Sequence, residues 1–312
     1  MQYVTTRDGS AHYTALDALS NNHSGDGAGF VPAQLPIFTE EMLRTIQNNR
    51  FSSTVADVLN ALFSVSVSSW DVDFSVGRSV SKMFALNRRI LIAELWHNPE
   101  RNAYAIIRNL HDMLCKKAGI TCEQTNWSSI AIRIAIFAGL YGQLIQNDYI
   151  KCNERFDVSV HDEDLADVMA AWYARKMGLP IGNILCTCRD DKTLWNMIHL
   201  GECSIGSNNP LFSNIERLVC GTLGQNEANA FMQSISNSNT YTVPKDQLSC
   251  LNDGIFVAVV GKDRGESVAR SVRSINQYAI SLEGALCYGA IQDHRSRTGE
   301  SRPALLIEKE KI

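Results

Sequence analysis

The chain has 312 residues, long enough for two domains, and its 45% apolar and 20% charged residues argue against a disordered or fibrous protein. A formal net charge of -4, with no run of Lys and Arg interleaved with aromatics, gives no electrostatic footprint for a phosphate backbone, so no nucleic-acid partner is expected. Nine cysteines (Cys115, Cys122, Cys152, Cys186, Cys188, Cys203, Cys220, Cys250 and Cys287) form no CxxC pair, so neither a zinc knuckle nor a secreted disulfide framework is expected, and no metal site is assigned. The opening residues lack the apolar core of a signal peptide, and the longest apolar stretch, Ile130 to Leu140, contains Arg133. A cytoplasmic protein with reduced thiols and no membrane partner is the expectation.

In chain order, residues 1–80 read as a helical N-terminal module. Asn21 to Pro32 is rich in Gly and Asn and reads as a loop. Thr39 caps a helix that begins Glu40-Glu41-Met42-Leu43, and Val55, Val58, Leu59 and Leu62 recur at helical spacing. From residue 81 to 312, short apolar strands alternate with helices. Arg89 to Trp96, Phe156 to Val160, Asn183 to Thr187, Ile255 to Val260 and Ala304 to Ile307 read as strands; Asn102 to Lys117, Trp127 to Ile145 and Leu165 to Met177 read as helices. That alternation predicts an α/β fold with an open, mostly parallel sheet flanked by helices. Trp127, Trp172 and Tyr173 suit helix packing against such a sheet, and Cys186 and Cys188 read as core thiols.

Several segments then fall in one family's order. MQYVTTRDGS and GDGAGFVPAQLP resemble the N-terminal signature of threonine synthases, LIAELWHNP their Leu-Glu-Leu-Phe-His-Gly-Pro, and QTNWSSIAIRIA their Ser-Ile-Asn-Trp-x-Arg. ADVMAAWYARKMGLPIGNILCTCRDD is similar to the helix, Gly-Leu-Pro and strand after the family's phosphate loop, and NPLFSNIERLVCGTLG and SNTYTVPKDQL resemble segments further on. The resemblance implies the fold-type II architecture of pyridoxal-phosphate (PLP) enzymes.

It also locates three departures. The family follows His-Gly-Pro with Phe-Lys-Asp, whose lysine carries PLP as a Schiff base; here His97-Asn98-Pro99 leads to Tyr104, which has no amine. Lys116 and Lys117 lie about 18–20 Å further along the predicted helix at ~1.5 Å per residue. The family's small domain, with its Thr-Ser-Gly-Asp-Thr-Gly loop, has no counterpart, since only Ala105 to Thr125 joins the two helices. Where its phosphate loop stands, this chain has His161-Asp162-Glu163-Asp164, whose carboxylates repel a dianion. The expectation is a pseudoenzyme without PLP, acting as a binding or partner subunit in amino-acid or specialised metabolism; the alternative is a cofactor-independent transferase or lyase with a rebuilt site. His97, Arg101, Tyr104, Arg108, Asn126, His161, Asp162, Glu163 and Asp164 are the candidate ligand-binding residues. The acidic trio also suits plain capping of the next helix, and His97 a plain hydrogen-bonding role. Without the small domain, the helix Ala103 to Leu114, presenting Ile106, Leu110 and Met113, and the helix Trp127 to Ile145, apolar nearly all round, need cover, which predicts a homo-oligomer or a protein partner, with an amino-acid-like small molecule as the other possible ligand; the competing expectation is that the N-terminal module, residues 1 to about 79, folds over the cleft and leaves a monomer.

Overall fold

A computed structural model describes residues 1–78, 81–161, 165–188, 192–206 and 209–311; Asp162, Glu163 and Asp164 lie outside the described residues. The chain opens with β1 (Gln2–Thr5), β2 (Tyr13–Thr14), α1 (Ala15–Ser20) and β3 (Phe30–Pro32), the strands pairing antiparallel in the order β2-β1-β3. This corrects the helical reading of the first residues and the loop reading of residues 21–32. Strands of two to four residues are too short to show alternation, and β3 grows out of the turn-rich segment itself. Three helices follow, α2 (Glu40–Asn48), α3 (Phe51–Phe63) and α4 (Ser69–Val76). Thr39 caps α2, its side chain accepting from the Met42 amide at 3.2 Å.

The larger part carries β4 (Lys82–Asn87), β5 (Ile90–Glu94), α5 (Ala103–Ala118), α6 (Asn126–Gln146), β6 (Phe156–His161), α7 (Ala166–Lys176), β7 (Ile181–Cys188), α8 (Thr193–Leu200), β8 (Glu202–Ser204), α9 (Phe212–Leu223), α10 (Gln225–Ser238), β9 (Thr240–Thr242), α11 (Leu248–Asn252), β10 (Ile255–Val259), α12 (Lys262–Asn276), α13 (Leu282–Thr298) and β11 (Ala304–Glu308). Six strands form one sheet in the order β10-β7-β6-β11-β5-β4. All pairs are parallel except the β4–β5 hairpin at one edge. The last strand therefore inserts between β5 and β6.

Side-chain alternation divides the sheet's two faces. Leu305 and Ile307 of β11 join the core beneath α6 and α7, whereas Ala304 and Leu306 pack in a second core with Val272 of α12 and Ile291 of α13. Helix α6 is the centre of the first core. Thr125 and Ser128 form its capping box, and its apolar surface runs all round. Its length and composition alone would let it cross a membrane, but 89% of its apolar window is buried inside the chain, which marks a core helix.

The face expected to stand uncovered is covered. Ile106, Leu110 and Met113 are buried, because α5 is flanked by α4 on one side and α6 on the other. Asn109 Nδ2 donates to the Ser75 carbonyl at 3.3 Å, and Lys117 Nζ stands 2.8 Å from Asp71 Oδ2, so polar contacts fasten α4 in place. The cover comes from the N-terminal module, which is the competing expectation of a module folded over this face. Exposed apolar surface lies instead on the outside of α4, where Trp70 and Phe74 are 68% and 91% exposed.

Candidate functional site

In an open α/β sheet the ligand-binding edge is the carboxyl end of the parallel strands. Here β5 and β11 end side by side, Glu94 paired with Glu308. The start of α5 is stitched to the same edge: Asn102 caps the helix through Oδ1 and the Tyr104 amide at 2.7 Å, and the Ala103 amide donates to the Lys309 carbonyl at 2.7 Å. Because strand residues alternate, Glu308 and Lys309 leave the strand on opposite faces and build two different charged groups.

On the α5–α7 face, Lys309 Nζ donates to the His161 carbonyl at 2.7 Å and stands 2.8 Å from Asp167 Oδ2. Arg133 Nε, from α6, donates to Asp167 Oδ1 at 2.9 Å. All three side chains are buried. Burial acts to raise the Asp167 carboxyl, but the Lys309 and Arg133 charges and their hydrogen bonds outweigh it, and it is held below the usual carboxylate range. The Lys309 ammonium also lies 5.5 Å from the Tyr104 ring centroid, a cation–π distance. These groups line, with Leu95 and Ile107, a cavity of about 20 Å³. That is room for a single water, not for a pyridine ring.

On the opposite face, His97 Nε2 lies 2.6 Å from Glu94 Oε2, and the Tyr278 hydroxyl donates to Glu94 Oε1 at 3.0 Å. Glu308 Oε1 accepts from the Ser281 amide at 2.6 Å, while Oε2 is buried and has no hydrogen-bond partner among the described residues. Burial pushes the Glu308 carboxyl up to about 7, with Glu283 and Glu94 adding to the shift against the Ser281 bonds. Gly284 makes room for it, since a Cβ there would overlap Oε2. Burial and the two glutamates also hold the Tyr278 phenol well above its usual range.

The candidates from sequence thus separate. Tyr104 lines the cavity and is half exposed; His161 accepts from Lys309 through its carbonyl, while its Nδ1 meets Thr187 Oγ1 at 2.7 Å. His97 belongs to the Glu94 group. Arg108 pairs with Glu100 in solvent, and Arg101, also exposed, holds a left-handed turn at φ 55°. Asn126 sits at the start of α6, two turns from Arg133, where its side chain receives Nη1 of the fully buried Arg217; Arg217 Nε also donates to the Phe30 carbonyl at 3.3 Å. That contact ties the N-terminal sheet to α9 rather than building a cleft. Sequence reading missed Glu94, Asp167, Tyr278, Glu308 and Lys309. For the last two the available signal was an acidic and a basic residue directly ending an apolar strand.

Comparisons with known proteins place this geometry. PLP-bound threonine synthase from Brucella melitensis superposes with a TM-score of 0.85 at 15% identity, over 100% of this chain and 89% of that one. Threonine synthase from yeast gives 0.81 at 12%, over 99% and 87%. The chain has the fold of the threonine synthases. By sequence, 82 residues, 26% of this chain, are 28% identical to threonine synthase-like 1 of Mus musculus and 26% identical to that of Homo sapiens. The match spans 11% of those relatives' length. No family model matches the chain.

Proposed function

We propose that this threonine synthase-fold chain binds no PLP and makes no threonine, and that it acts as a binding or partner subunit in amino-acid or specialised metabolism. The filled edge of the sheet carries the reading. Where the resemblance puts the cofactor's amine stands Tyr104, and the lysine at the strand edge, Lys309, is engaged by a carboxylate and a carbonyl. Schiff-base formation needs a neutral amine. With about 20 Å³ of space and its charges already paired, this edge does not fit the cofactor. The direct link of α5 to α6 through residues 119–125 supports loss of the family's small domain in the same reading.

The cavity beside Lys309 has room for about one water, so on this reading the partner is a protein. Trp70 and Phe74 supply exposed apolar surface for a second copy or another chain. Equilibrium dialysis against PLP tests the cofactor half. No retained PLP at millimolar concentration is expected, and one equivalent bound per chain contradicts the reading. Tyr104→Lys is expected to give no turnover of phosphohomoserine; threonine formation by that single variant would show that the lesion lies elsewhere.

The Glu94, His97, Tyr278 and Glu308 group favours a second reading, a cofactor-independent transferase or lyase using a carboxyl that titrates near 7. Turnover of an amino-acid-like substrate that is lost in Glu94→Gln would establish it over the first.

A further inference from the structure

Away from the strand edge, three side chains with ligand atoms converge where α5 ends. His111 and Cys115 lie one turn apart on α5, and Cys122 comes from the segment joining α5 to α6. Cys115 Sγ is 2.8 Å from Cys122 Sγ, and His111 Nε2 is 3.3 Å and 3.8 Å from the two sulfurs. His111 is 1% exposed, its Nε2 aimed at both thiols and its Nδ1 without a partner among the described residues.

We infer that His111, Cys115 and Cys122 form a three-ligand site for one zinc-class d10 ion, which pins the end of α5 to the short connection into α6. Two thiolates and an imidazole are the donor set such ions take, at about 2.3 Å to sulfur and about 2.0 Å to nitrogen, and an ion just off the plane of these three atoms meets both distances with shifts of less than about 1 Å. A buried imidazole facing two thiols distinguishes the arrangement from a pair of cysteines poised only for a disulfide. Cys122 is partly exposed, while His111 and Cys115 are buried. Binding converts both thiols to thiolates and releases two protons to water, with no change of oxidation state. Cys122 Sγ also lies 3.6 Å from the Leu19 carbonyl, which brings α1 of the N-terminal module to the same point. The site would thus staple the segment at which the family's small domain has no counterpart, and this part of the inference rests on the reading above.

The test uses the full chain, purified reduced, stripped by chelator and titrated with zinc and separately with cobalt(II). One equivalent of zinc per chain is expected, with a thiolate-to-cobalt charge-transfer band. Cys122→Ser, in the connecting segment, and His111→Gln should each weaken binding by at least about tenfold, while Cys250→Ser, an exposed thiol elsewhere, should leave it unchanged. Either absence of stoichiometric metal with all thiols freely titratable, or a Cys115–Cys122 disulfide that forms as readily in excess zinc as without it, overturns the inference. PLP uptake with zinc still bound would sink the cofactor reading and leave the metal site standing.

Discussion

Two groups of charged side chains flank one strand edge, and they differ in how their charges are answered. On the α5–α7 face a single carboxylate, Asp167, sits between Lys309 and Arg133, and the surplus positive partners hold it ionised. On the α12–α13 face two glutamates, Glu94 and Glu308, stand in register and receive only neutral hydroxyl and amide donors and the His97 ring, so Glu308 is driven toward the neutral form. Neighbouring residues of the same strand therefore have opposite electrostatics because the pleat sends them to opposite sides. Burial pushes both carboxyls up; the opposite charges facing Asp167 outweigh it, whereas the glutamates near Glu308 add to it.

The sharpest way to break the comparison is Asp167→Ala. It leaves two buried cations without a counter-charge, and a loss of about 3–5 kcal/mol in unfolding free energy is expected by chemical denaturation. A loss below about 1 kcal/mol would mean that water, not Asp167, answers the cations.

Glu308→Gln should act in the opposite direction. A folded pKa of about 7 against an unfolded value near 4.5 means that the folded state holds the extra proton between those limits, so this group makes stability fall as pH rises from about 4.5 to 7 and level off above. The variant should flatten that slope and gain stability at pH 8, on the order of 3 kcal/mol. An unchanged pH profile would refute the neutral carboxyl. Arg108→Ala marks the lower end. Its pair with Glu100 lies in solvent on neither face, and no measurable change in denaturation midpoint is expected; a clear shift would bring it back as a site residue.

Much of the fold was legible. Strands β5, β6, β7, β10 and β11 and helices α5, α6 and α7 fall within a few residues of their sequence readings, because fully buried strands and a helix apolar all round leave strong local signals. The N-terminal sheet was not legible, its strands being shorter than one alternation pattern, and neither was β4 (Lys82–Asn87), where the run Met83 to Leu86 is apolar without alternation and too short to separate strand from helix. Of the candidate site, motif order named Tyr104 and His161, which lie beside the Lys309 group, but the paired charges there come from residues far apart in sequence, Arg133, Asp167 and Lys309, whose meeting is set by β11 inserting between β5 and β6. No local pattern encodes that insertion.

The central claim is that Lys309 is an ion-pair partner and is not offered to PLP as a free amine. Incubation of the full chain with PLP, borohydride reduction and peptide mapping addresses it directly. The account predicts no saturable, stoichiometric aldimine band before reduction and no pyridoxyl adduct on Lys309 beyond the background level found on exposed lysines. A band that disappears on reduction, with a stoichiometric adduct mapped to Lys309, would contradict it.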